Sequence, residues 1–201
     1  MRTKSLLALA AASIVLAVSP SDARAESIIK NPGDHPDYVA ELEPHGLFGW
    51  GHRYGSGGFG LGVRATFKIV DNGFVKTINN SIGIGVGLDW VRYGGCYYDG
   101  WYGPGRYRYG CAGSDYFMIP VVMQWNFWLT TRWSVFGEPG FHIYHRSFDN
   151  YCGGLPGCNP PSSTNLDFAF YGGARFHFNE TIALTMRIGY PTLSVGASFF
   201  F

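Results

Sequence analysis

From Val39 onward, apolar side chains alternate with small or polar ones at a period of two, the mark of extended strands with one face in an apolar medium. Residues 59–70 are the clearest case. Leu61, Val63, Ala65, Phe67 and Ile69 share one face, and Gly60, Gly62, Arg64, Thr66 and Lys68 share the other. In 81–93 the apolar face is Ile82, Ile84, Val86, Leu88 and Trp90, opposite Gly83, Gly85, Gly87 and Asp89. The same parity predicts strands over 39–54, 115–129, 133–146, 166–178, 182–190 and 192–201, about eight in all. In the last, Leu193, Val195, Ala197, Phe199 and Phe201 oppose Thr192, Ser194, Gly196 and Ser198, and Phe200 breaks the rule.

The connections alternate in length. Those around 129–132 and 179–181 are tight and 71–80 is moderate, whereas 94–114 and 147–165 are long. With the strands laid antiparallel, outward aromatics collect in two bands. Phe67, Trp125, Phe127, Trp133, Phe176, Phe178, Phe199 and Phe201 lie at the end carrying the termini, and Phe48, Trp50, Trp90, Phe117 and Tyr190 at the other. Pro44, Pro120 and Pro139 fall inside predicted strands, where each removes a ladder donor, and β-bulges are expected there.

Composition narrows the class. The 201 residues are 46% hydrophobic, 17% aromatic and 14% charged, with 29 glycines and a formal net charge of +1. A soluble domain carries roughly 25% charged residues, and near-neutrality argues against a nucleic-acid partner. Residues 1–25 read as a secretory signal peptide: Arg2 and Lys4, an apolar run from Leu6 to Val18, then Ala23-Arg24-Ala25 as a small-x-small cleavage site. Residues 26–37 read as a loose lead-in to a domain spanning 38–201. After Val18 no run approaches the ~18 apolar residues of a membrane-spanning helix. Export, alternation and aromatic bands together indicate an all-β, antiparallel, up-and-down transmembrane barrel.

An alternating last strand ending in Phe199 and Phe201 resembles the insertion signal of Gram-negative outer-membrane barrels, and the whole pattern resembles their small OmpA-like class. The resemblance implies an outer-membrane location, insertion by the barrel-assembly machinery, and a surround of outer-membrane lipids and lipopolysaccharide. The short connections then lie in the periplasm with both termini, and 94–114 and 147–165 are external loops.

The inward-facing charges are Glu41, Glu43, Asp89, Glu138 and Asp167 against Arg64, Lys68, Arg175 and Arg187. An eight-stranded barrel has an interior barely wide enough for side chains. These groups must therefore pair, as a salt-bridged plug or as the lining of a narrow passive pore. Cys96 and Cys111 share one long loop and Cys152 and Cys158 the next, so disulfides within each loop are expected in an exported chain. Tyr97, Tyr98, Trp101, Tyr102, Arg106, Tyr107, Arg108 and Tyr109 give the first loop the residue types of binding hot spots. No cofactor or metal is called for. The cysteine spacings match no zinc pattern, and His142 and His145, three apart on a strand, point to opposite faces.

His145-Arg146-Ser147 resembles the His-x-Ser arrangement of lipid A deacylases, with Asp149 or Asp167 as the acid that would orient His145. The following Phe148-Asp149 departs from that family's Asn-Ala. The sequence thus supports a structural or adhesive barrel that is not an enzyme, with a lipid A-modifying hydrolase and a narrow pore as alternatives.

Overall fold

A computed structural model describes residues 26–50, 57–99, 108–148 and 162–201, giving the backbone alone at 95–99, 108–112 and 148. The described residues form eight strands: β1 (Ala40–Gly49), β2 (Gly58–Val70), β3 (Asn80–Asp99), β4 (Arg108–Trp128), β5 (Trp133–Phe148), β6 (Ser162–His177), β7 (Ile182–Gly189) and β8 (Thr192–Phe200). Each pairs antiparallel with its neighbours in sequence, and β8 returns to β1 to close the barrel. The all-β antiparallel barrel expected from the alternation is the one observed. Phe201 completes the closure, donating its N–H to Ala40 O and accepting from Val39 N.

Burial is inverted relative to a water-soluble domain. Glu43, Glu138, Arg175, Gln124 and Asn126 are buried inside, while Leu61, Phe168, Phe170, Ile188 and Phe59 stand exposed outside. Each strand obeys the parity read from its sequence. Phe200, the exception on β8, points inward with its parity and is buried against Tyr38 and His177.

Three expectations are corrected. No register shift accompanies the prolines: Pro44, Pro120 and Pro139 stand directly opposite Val63, His142 and Phe170 in one ladder each. The other ladder of each strand merely skips two residues there, because a residue's N–H serves only one neighbour and its loss leaves the second ladder whole. A register shift does occur in the β2–β3 pair, at Lys68/Val70. Second, 94–114 is not a loop throughout. The β3–β4 hairpin continues in register to Asp99↔Arg108, since tyrosines favour strands and a backbone ladder needs no hydrophobic alternation to continue. Likewise β6 begins at Ser162 inside the expected loop 147–165. Third, the lead-in 26–37 is packed rather than loose. Ile28 N–H donates to Leu129 O, Asn79 N–H to Ile29 O, and His35 stacks on Trp128 with ring centroids 5.3 Å apart.

Candidate functional site

Inward residues of the eight strands arrange themselves in layers along the barrel axis. Nearest the termini is a layer of Trp128, Tyr38 and Phe200 rings packed with Ile28. Above it Arg175 donates to Glu41 (2.8 Å) and Asn126 (2.6 Å), with its guanidinium carbon 4.2 Å from the Phe136 ring centre. The next layer is a closed ring. Arg187 forks onto Glu43 (2.7 and 2.8 Å) and donates to Glu138 (2.8 Å), and Glu138 accepts from Arg64 (2.7 Å). Arg64 reaches Asp89 (3.6 Å), Asp89 meets His45 Nε2 (2.9 Å), and His45 Nδ1 returns to Glu43 (3.4 Å). Both His45 ring nitrogens thus face oxygen acceptors. Gln124 adds a bond to Glu138 (2.8 Å), and Asn126 ties Gln124 to the Arg175 layer below.

The ring exists because the facing wall is glycine. A Cβ on Gly62 would collide with Asp89 Oδ1 and reach His45 Nε2, and one on Gly87 would press on Arg64 Nε at 3.2 Å. The alternating glycines of β2 and β3 therefore leave the volume that the charges occupy.

Two charges read from parity lie outside this network. Lys68 sits at the end carrying the termini, paired with Asp37 (3.1 Å) and Asp71 (2.6 Å). Asp167 is exposed near the opposite end. Parity assigns a face but not a height along the axis, so it cannot separate these two from the buried set. His45, inward by the same parity, completes the ring in their place. On the outward side, Asp115 accepts from Trp90 Nε1 (3.0 Å) and Arg92 (3.0 Å), a clasp that alternation could not reveal because it unites two outward residues of β3 with one of β4.

An apolar layer of Leu47, Val91, Tyr93 and Met118 covers the ring on the side of the long connections. Above it opens a cavity of about 420 Å³. Tyr93, Tyr116 and Tyr144 line it as a run of neighbouring rings, with centroid spacings of 5.1 and 6.2 Å, and Trp50 and Tyr190, which belong to the outward aromatic band at this end, also reach its lining. Besides the tyrosine hydroxyls, its polar groups include His142, Arg146, Ser163 and Asp167, with Asp167 directly opposite His142 on the adjoining strand. The Arg146 guanidinium lies over the Tyr116 ring, its carbon 5.1 Å from the centre.

The His-x-Ser residues lie outside this cavity. His145 faces outward, and its Nδ1 is bonded to Thr164 Oγ1 (2.8 Å), while Ser147 stands opposite Asp115 and Ser162. Asp167 is on the inward face of β6, three residues from outward Thr164, and cannot orient His145. Asp149 lies outside the described residues, as do Trp101, Tyr102, Arg106, Tyr107, Cys152 and Cys158. The backbones of Tyr97, Tyr98, Arg108 and Tyr109 are in the β3–β4 hairpin, where Cys96 is the direct ladder partner of Cys111. Among the described residues no cluster of His, Cys, Asp and Glu is disposed to hold a metal ion.

No family model and no curated protein sequence matches this chain. Solved structures do match. The attachment invasion locus protein Ail of Yersinia pestis, solved in complex with the heparin analogue sucrose octasulfate, is similar at a TM-score of 0.52 and 12% identity, over 83% of this chain and 99% of that one. Neisserial surface protein A is similar at a TM-score of 0.51 and 13% identity, over 82% and 97%. At these identities the likeness is one of fold: this chain shares the closed eight-stranded antiparallel barrel of those two proteins.

Proposed function

We propose that this protein is a Gram-negative outer-membrane barrel with a plugged interior, whose work is done at the end bearing the long connections. The observation that carries the reading is the inverted burial, with an ion-pair ring inside and exposed Phe, Leu, Ile and Val outside. A wall of that kind is stable against acyl chains, and a ring so occupied leaves no room for transport. What remains free to act is the rim and the aromatic hairpin of β3 and β4. Both termini then lie in the periplasm, and insertion passes through the barrel-assembly machinery, guided by Phe199 and Phe201. Pairing of Cys96 with Cys111, and of Cys152 with Cys158, would staple the external connections; intact mass after alkylation without reductant should show no added label, and label on all four cysteines would reject it.

The role is surface interaction rather than catalysis. Ail's structure with a sulfated saccharide supports a similar exterior use of this fold. The test is display in a non-adherent Gram-negative host, comparing binding to glycan-coated surfaces for the whole protein and for a version with residues 97–109 replaced by a Gly/Ser turn. Adherence lost with the hairpin is the expected result, and adherence no better than the empty host would overturn the reading. Lipid A from the same host should keep its mass whether His145 is present or changed by His145→Ala; a deacylated species that needs His145 would replace this reading with an enzymatic one.

A further inference from the structure

We infer that the loop-end cavity is a binding site for a single neutral pyranose ring, such as the terminal residue of a surface glycan. The inference deepens the surface-interaction reading and rests on it for the outward placement of this end. Three features of the cavity select the ligand.

First, the walls are flat and aromatic. Tyr116 and Tyr144 stand nearly parallel, 18° between planes, and Trp50 and Tyr190 join the lining at the rim. A pyranose presents apolar C–H faces that pack on such rings, with hydroxyls at its edge. Second, the lining is well supplied with hydrogen-bonding groups, since the hydroxyls of Tyr93, Tyr116, Tyr144 and Tyr190 are joined by other polar side chains. Asp167 accepts, Arg146 donates, and Ser163 does either. His142 lines the cavity too, with its Nδ1 buried and without a hydrogen-bond partner among the described residues. One carboxylate and one guanidinium leave the lining balanced, which suits an uncharged polyol better than a sulfate or phosphate. Third, the depth is limited. The Leu47, Val91 and Met118 layer, and the ion-pair ring beneath it, close the bottom, so an extended acyl chain has no tunnel to follow. About 420 Å³ accommodates a compact ligand within the usual range of small-molecule sites.

The experiment titrates the refolded full-length barrel, held in the sugar-free detergent lauryldimethylamine oxide, with methyl glycosides of glucose, galactose, mannose and N-acetylglucosamine. Binding is followed by saturation-transfer NMR and by tryptophan fluorescence. Saturable binding of at least one glycoside is expected, with a fluorescence change that disappears in Trp50→Phe. Asp167→Asn should weaken it about tenfold, the effect of losing one charge-assisted hydrogen bond. Gly137→Ala, where an added Cβ meets nothing within 4 Å, should leave it unchanged. Slower migration of boiled than unboiled samples verifies that each variant is folded.

No saturable signal from any of the four glycosides overturns the inference, as does equal binding of cyclohexanol, which has the ring without the hydroxyl edge. These outcomes are independent of adherence. A barrel that adheres but binds no glycoside keeps the surface role and loses this site, whereas one that binds glycosides without adhering loses the surface role alone.

Discussion

Glu138 shows how the interior is stabilised one residue at a time. Fully buried, it accepts from Arg64, Arg187 and Gln124, so its carboxylate is shared by two cations from β2 and β7. Removing one member of a buried pair leaves the others desolvated and unmatched, a cost of about 3–5 kcal/mol. Glu138→Ala should therefore lower unfolding stability in urea by that order, and Glu138→Gln, which retains an acceptor, by less. A change under about 1 kcal/mol for the alanine variant, within the range of exposed pairs, would mean the ring is solvated. Gly62 makes the complementary point. Its missing side chain admits the His45–Asp89 contact, so Gly62→Ala should destabilise while Gly137→Ala, in open space, should not. Thermal unfolding of the two variants side by side checks this, and equal behaviour would show that the wall yields. The side each residue faces was legible from parity alone: Glu41, Glu43, Arg64, Asp89, Glu138, Arg175 and Arg187 are all inside. Height was not. Asp167 shares their parity yet reaches the rim cavity, because its level depends on the β5–β6 register, which no single strand encodes.

Among the elements, the segment before β1 is where sequence and structure part most. Pro32, Gly33 and Pro36 read as a loose leader, and what contradicts them is tertiary: Ile28 and Tyr38 bury against Trp128 and Phe200, whose inward positions make a landing surface for the segment. His35 connects this cap to the β2–β3 connection through Asn79 Oδ1, at 2.7 Å. Burial holds the His35 imidazole below its ordinary value of 6.5, outweighing the Asn79 bond that acts the other way. The unfolded chain therefore takes up this proton at a higher pH than the folded one. The cap's stability is greatest above 6.5 and declines as pH falls below it. Amide protection at Ile28 and Asn79, corrected for intrinsic exchange, should drop in mild acid, and His35→Gln should flatten the dependence. Protection that rises in acid would reverse the sign and disprove the account. The β3–β4 hairpin parted from its reading for a different reason. Hydrophobic alternation reports the contrast between the outer and inner faces of the wall, so it fades where β3 and β4 continue beyond the apolar belt, while their backbone ladder does not.

For the whole molecule, closure and charge pairing decide whether the barrel conducts. Closure removes every strand edge, which is what lets a sheet sit among acyl chains. Each layer of the interior then bridges opposite walls. Arg175 of β6 reaches Glu41 of β1, Arg187 of β7 reaches Glu138 of β5, and Arg64 of β2 reaches that same Glu138. Ions crossing the membrane would have to displace these pairs one layer after another and pass both the Met118 layer above and the Trp128 layer below. A conducting pore instead needs binding weak enough to exchange along its length. Purified protein whose unboiled form migrates faster than the boiled form, and so is folded, should therefore leave planar bilayers electrically silent even at high load. Loosening the ring alone, by Glu138→Gln together with Arg187→Gln, should not open it, because the aromatic and apolar layers on either side remain. Well-resolved current steps from the wild-type barrel, growing with protein load, would instead show that the layers part on their own and would make the ring a gate.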